Sequence, residues 1–250
     1  MSDVSIDGLP TAGAPFRIGV VLSKTFSVLS NKLGQFLLLT FVPLVPVLAV
    51  TLLAQAGPQK APLASSVAWI GALSGVLTFV LQIVAQATTL YGAFQLMGGQ
   101  SFTIAQALNV GLRRAPPVFG AALLAGLGTG LAAILFLVPG MIVACMLYVE
   151  VPACVIEKLG AVASLNRSAA LTKGYRWQIF GLLALVTIIG IIAQVILTQV
   201  GGGTLWGKLL DFCWLVVATS FGAVLAAVVY HDLRVAKEGI DIDNLANVFD

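Results

Sequence analysis

The sequence predicts an all-α, polytopic integral membrane protein with six transmembrane helices and short amphipathic helices at the cytoplasmic interface. Three observations lead there. Hydrophobic residues make up 59% of the chain and charged residues 9%, against roughly 25% charged in an average globular protein. A soluble body of this size has too much surface to cover with so few charges. Six apolar stretches are each long enough, or nearly so, to cross about 30 Å of hydrocarbon as a helix: residues 33–55, 66–94, 118–138, 141–156, 179–200 and 209–230. Finally, the basic residues fall in alternate connections. Arg17, Lys24 and Lys32, then Arg113 and Arg114, then Lys158, Arg167, Lys173 and Arg176, then Arg234 and Lys237 make eleven on one side. Only Lys60 and Lys208 fall on the other. Basic loops stay in the cytoplasm, so both termini are expected there.

The first fourteen residues carry two acids and no Lys or Arg. That is the wrong charge for a cleavable signal, and residues 1–14 are expected to form a disordered cytoplasmic tail. Residues 15–232 form the six-helix domain, and 233–250 a cytoplasmic C-terminal tail. Gly57-Pro58 and Pro62 break the first connection. The second segment is longer than a bilayer needs and is expected to tilt or protrude. Pro116-Pro117 is expected to open the third helix, since proline is tolerated in a first turn. Pro139-Gly140 leaves almost no loop before the fourth segment, the shortest of the six. Gly201-Gly202-Gly203 separates the fifth from the sixth.

Each cytoplasmic connection holds an amphipathic stretch ahead of the next outward helix. Ile18, Val21, Leu22, Phe26, Leu29 and Leu33 share one helical face, while Arg17, Lys24 and Asn31 recur every seven residues on another. Ile104, Ala105, Leu108 and Leu112 oppose Gln106, Asn109 and Arg113. A shift of 86 residues aligns Phe16 with Phe102, Ile18 with Ile104, Leu22 with Leu108 and Gly34 with Gly120. A third unit, from about residue 159, fits more loosely. Either the domain is three repeats of interfacial helix plus hairpin, starting near 16, 102 and 159, or cytoplasmic connectors share this pattern in general. Such helices lie in the headgroup plane and present basic residues to anionic lipid.

An ionisable group inside the membrane is expensive unless paired, which makes it a functional candidate. Glu150 is the foremost. Pro152 follows two residues later and cannot donate to the Tyr148 carbonyl, so a local break is expected. Glu150 then either carries a proton or a cation, or lies in water or against an arginine such as Arg176. Thr78, Gln82, Gln86 and Thr89 form a stripe on the second helix, as do Thr187, Gln194 and Thr198 on the fifth. These either line a polar path or hydrogen-bond helix to helix. The candidate intramembrane polar site is therefore Glu150 with Gln82, Gln86 and Gln194.

Conventional catalytic sets are not written in the chain. His231 is its single histidine, so a multi-histidine metal site is excluded. Neither a phosphate-binding glycine loop nor a Gly-x-Ser-x-Gly elbow occurs. His231-Asp232, adjacent on a helix, should not face each other and are expected in water, with Tyr230 as interfacial anchor. The three cysteines lie in apolar runs and read as buried thiols. A net charge of +3 is too small to indicate a nucleic-acid partner. No cofactor is expected.

Several motifs resemble a known family. They are Val138-Pro139-Gly140-Met141, then Glu157-Lys158-Leu159-Gly160, then Asn166-Arg167-Ser168-x-x-Leu171-Thr172-x-Gly174-Tyr175-Arg176-Trp177, then Phe180-Gly181-Leu182. The closing Tyr230-His231-Asp232-Leu233-Arg234-x-x-Lys237-Glu238-Gly239-x-Asp241 and the basic opening from Arg17-Ile18-Gly19 through Asn31 fit as well. Together they resemble the membrane domain of bacterial glycerophosphoryl diester phosphodiesterase. The resemblance implies a six-helix inner-membrane module without the catalytic barrel to which that domain is sometimes fused. One histidine cannot supply that barrel's paired catalytic histidines, so the resemblance does not imply phosphodiesterase activity.

The leading expectation is a non-enzymatic envelope scaffold or accessory module. Its basic residues Arg17, Lys24, Arg113, Arg114, Arg167, Arg176 and Arg234 would meet anionic lipid headgroups or a membrane or peripheral protein. The alternative is a transporter or lipid-handling permease built on Glu150. A lipid-headgroup enzyme that holds phosphate with Arg167, Arg176 and Arg234 is a third reading.

Overall fold

A computed structural model describes residues 17–56 and 64–238, and the side chains of 17–53 and 72–238. The tail expected at 1–14, Lys60 and the Gly57-Pro58 turn lie outside the described residues, as do 239–250; the first part of the tail expected at 233–250, through Glu238, is instead helical. The chain is all-α. Its helices are α1 (Ile18–Asn31), α2 (Leu33–Ala56), α3 (Ala64–Met97), α4 (Ile104–Leu135), α5 (Leu137–Leu147), α6 (Glu150–Ile156), α7 (Ala161–Thr172), α8 (Arg176–Gly201) and α9 (Leu205–Glu238). Among the described residues, six helical segments are long and apolar enough to cross a membrane: Leu33–Leu53, Ala72–Met97, Ile104–Leu135, Leu137–Ile156, Arg176–Gly201 and Leu205–Glu238. They match the six apolar runs of the sequence.

The bundle has a tight end and a loose end. Phe36, Leu90, Leu171, Ile179, Leu182, Tyr230 and Leu233 are fully or almost fully buried. All of them lie toward the end that gathers α1, α7 and the basic residues, called here the basic end. At the opposite end Ile134, Leu135, Phe136, Leu137, Val200 and Trp206 are mostly exposed, which suits a surface solvated by lipid. α3 occupies the centre, against α2, α4 and α9, while α1 lies across α9. In α1 the inward residues are Val21, Thr25 and Leu29. Phe26, expected on that face, is exposed and packs against Phe221 with ring centroids 5.4 Å apart.

Prolines inside helices free carbonyls, and the packing answers one of them. Pro43 cannot donate to the Leu39 carbonyl, and the Thr88 hydroxyl of α3 reaches that oxygen at 3.3 Å. One turn away, Thr40 joins Thr89 at 2.9 Å and Ser220 at 2.7 Å. This buried hydroxyl cluster ties α2 to α3 and α9. Thr89 thus serves helix-to-helix bonding, whereas Thr78 bonds its own helix at the Ser74 carbonyl.

Two expected boundaries move. Pro116-Pro117 does not open a helix but lies inside α4, which runs unbroken from the amphipathic stretch into the span. The carbonyls those prolines leave free, at Leu112 and Arg113, sit at the level of the basic residues, where water can satisfy them. The start of α4 is instead marked by Thr103 and Gln106, whose side chains cap each other's backbone. The turn expected at Pro139-Gly140 is one extended residue, Phe136, three positions earlier. Pro139 then falls in the first turn of α5, where its missing N–H costs nothing. Gly140 lets the α5 backbone approach Ala133, since a Cβ there would come within 2.7 Å of the Ala133 Cα. The glycine triplet is the break expected of it, with Gly202 and Gly203 at φ +55 and +68.

Candidate functional site

The fourth span is broken where Pro152 predicts. α5 ends at Leu147, α6 begins at Glu150, and Val149 between them leaves the helical backbone at φ −105, ψ 22. A break in a span strands polar backbone, which lipid cannot satisfy. Here α7 satisfies it. The Ser168 hydroxyl accepts from the Val149 N–H at 3.2 Å and donates to the Met146 carbonyl at 2.9 Å. Thr172 donates to the same carbonyl at 3.1 Å. Ser164, Ser168 and Thr172 are all buried along one face of α7, a hydroxyl stripe at a spacing of four.

The break places Tyr148 and Glu150 on the wall of a cavity of about 570 Å³ between α3, α4, α5 and α6. Gln82 and Gln86 line it from α3, one turn apart, and Thr129 from α4. Phe79, Ile83, Ala122, Ala125, Gly126 and Val151 complete an apolar remainder. Gln86 stands eleven residues from the end of α3 at Met97, about 16 Å along the axis, so the cavity lies well within the span. It is a groove rather than a sealed void. Phe79 is 40% exposed, and a Cβ on Gly126 or Gly130 would meet nothing within 4 Å. Among the described residues, no ion pair is seen for the Glu150 carboxylate, and the pairing to Arg176 expected as one alternative is not formed.

Three of the four candidate polar residues are therefore brought together and one is not. Gln194 donates from α8 to Asp211 of α9 at 3.0 Å, a helix-to-helix bond away from the groove. Tyr148 and Thr129 line the groove without having been singled out in the sequence.

A second cluster closes the basic end. Glu157, just past α6, accepts from Arg167 Nε at 2.8 and 2.9 Å and from the Tyr230 hydroxyl. Arg167 also meets Glu238 at 2.5 Å, and Glu238 accepts from Arg234 at 3.1 Å. Burial works against the charge of Arg167, yet these two carboxylates outweigh it and raise its pKa above the ordinary arginine value. Beside this cluster, Lys24 of α1 pairs with Asp232 at 2.9 Å, and His231 Nδ1 lies 3.2 Å from the same carboxylate oxygen. The expectation that His231 and Asp232 lie in water without facing each other, with Tyr230 as interfacial anchor, is overturned. Tyr230 is fully buried and His231 is 8% exposed, because α9 continues past them to Glu238 beneath α1 and α7.

Of the seven basic residues offered as lipid or partner contacts, Lys24, Arg167 and Arg234 are engaged within the chain. Arg113 is exposed and bonds Asn109 at 3.0 Å. Arg17 is exposed ahead of α1 and Arg114 half-buried on α4. Arg176 opens α8 with its Nε buried and without a hydrogen-bond partner. No protein-family model, curated protein or solved structure matches the chain.

Proposed function

We propose that this chain is a permease-type module that takes an amphiphilic molecule from the bilayer into the groove between α3, α4, α5 and α6. The single observation that carries the reading is a polar-lined, laterally open groove beside a broken span. Broken spans are where membrane carriers place their binding sites, because they bring polar groups to a depth that a continuous helix keeps apolar. The sequence alone favours a scaffold. The groove shifts the balance, and so does the engagement of Lys24, Arg167 and Arg234 in ion pairs inside the chain, which takes three of the seven basic contacts away from lipid or a partner.

The module acts without a cofactor and is not a phosphodiesterase. Its resemblance to the glycerophosphoryl diester phosphodiesterase membrane-domain family is carried by motif residues that have structural work here. Arg167, Tyr230, Arg234 and Glu238 gather around Glu157, and Ser168 and Thr172 sustain the break. The charge asymmetry supports a bacterial cytoplasmic membrane with the basic end inside. A periplasm-active reporter fused beside Lys208 should be active, and activity of a cytoplasm-only reporter there would reverse the topology.

The groove is tested in proteoliposomes that carry fluorescent lipid in one leaflet. The protein should speed exchange between leaflets well beyond that in protein-free vesicles. Gly126→Phe, which projects into open space and fills the groove, should abolish that gain while leaving the melting temperature unchanged. Exchange no faster than in protein-free vesicles would refute the reading.

A further inference from the structure

The groove has a one-sided chemistry. Its ionisable wall groups are the Glu150 carboxylate and the Tyr148 phenol. Its other polar side chains are the carboxamides of Gln82 and Gln86 and the Thr129 hydroxyl. No Lys, Arg or His is among the lining residues. Of the arginines at the basic end, Arg167 and Arg234 are bound to Glu157 and Glu238, and neither Arg114 nor Arg176 is among the groove's lining residues. A phosphate or carboxylate head would thus sit beside a carboxylate with no compensating cation, in surroundings where like charges repel strongly.

We infer that the groove selects an amphiphile with an ammonium head, a deepening that rests on the proposed amphiphile-handling role. An ammonium group supplies the positive charge that Glu150 lacks. If primary, it also carries three N–H donors, enough for the carboxylate and the carboxamide oxygens of Gln82 and Gln86. Those two amides stand one turn apart on the same face of α3 and line the groove together with Glu150. Tyr148 lines the same groove, and aromatic rings attract cations. The cavity is of ordinary ligand size and far larger than a proton path requires. Its walls of Phe79, Ile83, Ala122, Ala125 and Val151 accept methylenes, and the open edge at Gly126 and Gly130 lets an acyl or alkyl chain remain in the bilayer. The head is held and the tail is left to the lipid, so the source is the membrane itself rather than a water-soluble amine.

The test uses the full chain in zwitterionic nanodiscs with a photoreactive alkyl probe that crosslinks to groove peptides. Dodecylammonium, dodecanol and dodecyl phosphate compete against it. Dodecylammonium should compete about tenfold more strongly than dodecanol, and dodecyl phosphate least. Glu150→Gln, which keeps the shape of the side chain, should erase the ammonium advantage without weakening dodecanol. Should Glu150→Gln fail to fold, Gln82→Leu with Gln86→Leu provides the second arm, and it should reduce the ammonium advantage at least threefold. An equal or better competition by dodecyl phosphate, or an ammonium preference untouched by both variants, overturns the ligand class while leaving the groove as a binding site. If the probe labels no groove peptide and no competitor acts, the amphiphile-handling reading falls with it.

Discussion

Gly111→Ala will destabilise the folded protein by about 2 kcal/mol, although alanine is the better helix former by up to about 1 kcal/mol. The reason lies where α3 and α4 meet. A Cβ at Gly111 would overlap the Thr88 Cγ2 and come within 3.1 and 3.2 Å of the Thr88 N and Cα. Thr88 cannot turn aside without consequence. It is β-branched and therefore stiff, and its hydroxyl is committed to the Ala85 and Leu39 carbonyls. Moving it would expose the carbonyl that Pro43 has already deprived of a partner. The helices must part instead, and overpacking of this kind costs about 1–3 kcal/mol. Gly126→Ala is the control. It lies on the same helix, and its Cβ meets nothing, so it should be neutral or slightly stabilising. Unfolding in mixed micelles of increasing denaturing detergent compares the two. Equal stability of both variants would show that α3 and α4 are not in the close contact described.

Ser168→Ala should cost about 1–3 kcal/mol, the penalty for leaving a buried polar group without a partner. Val149 is fully buried, and its N–H has Ser168 Oγ as its bond partner. Thr172 continues to serve the Met146 carbonyl, so the loss centres on one N–H. Ser30→Ala removes an exposed hydroxyl bonded to the Ser27 carbonyl and should change stability by less than about 0.5 kcal/mol. Amide exchange adds a local signature. Peptides that contain residues 147–151 should exchange faster in Ser168→Ala, and an unchanged rate there would mean that the break does not depend on α7.

Most of the fold is legible in the sequence because hydropathy reports solvent directly, and a run of apolar residues in lipid has few alternatives to a helix. The broken fourth span is legible for a local reason, since Pro152 removes a donor whatever its surroundings. Glu150 with Gln82 and Gln86 is legible because polar groups stand out in an apolar body. What escapes is whatever depends on a partner distant in the chain. Gln194 looks like Gln82 on its own helix, and only the packing of α8 on α9 gives it to Asp211. His231 and Asp232 read as a wet helix end beside an interfacial Tyr230, because nothing local reveals that Lys24, some two hundred residues away, pairs with Asp232. Pro116-Pro117 reads as a start because proline favours first turns, yet the cap at Thr103, thirteen residues earlier, had already begun the helix. The hydroxyls of Ser164, Ser168 and Thr172 were the missed signal. Their spacing of four puts them on one face, and a row of small polar groups in an otherwise apolar setting implies backbone to be satisfied nearby.

The fourth span is in effect an articulated limb. An unbroken helix resists flexing with every rung of its own ladder, but at Val149 the joint is pinned by a neighbour's side chains. Anything that tugs α7, whether a change in the Arg167–Glu157–Glu238 tether or a body leaning on that end of the bundle, pulls at the pin, and Glu150 is the first residue beyond it. A ligand seated against Glu150, as proposed for the groove, would by reciprocity be felt at α7.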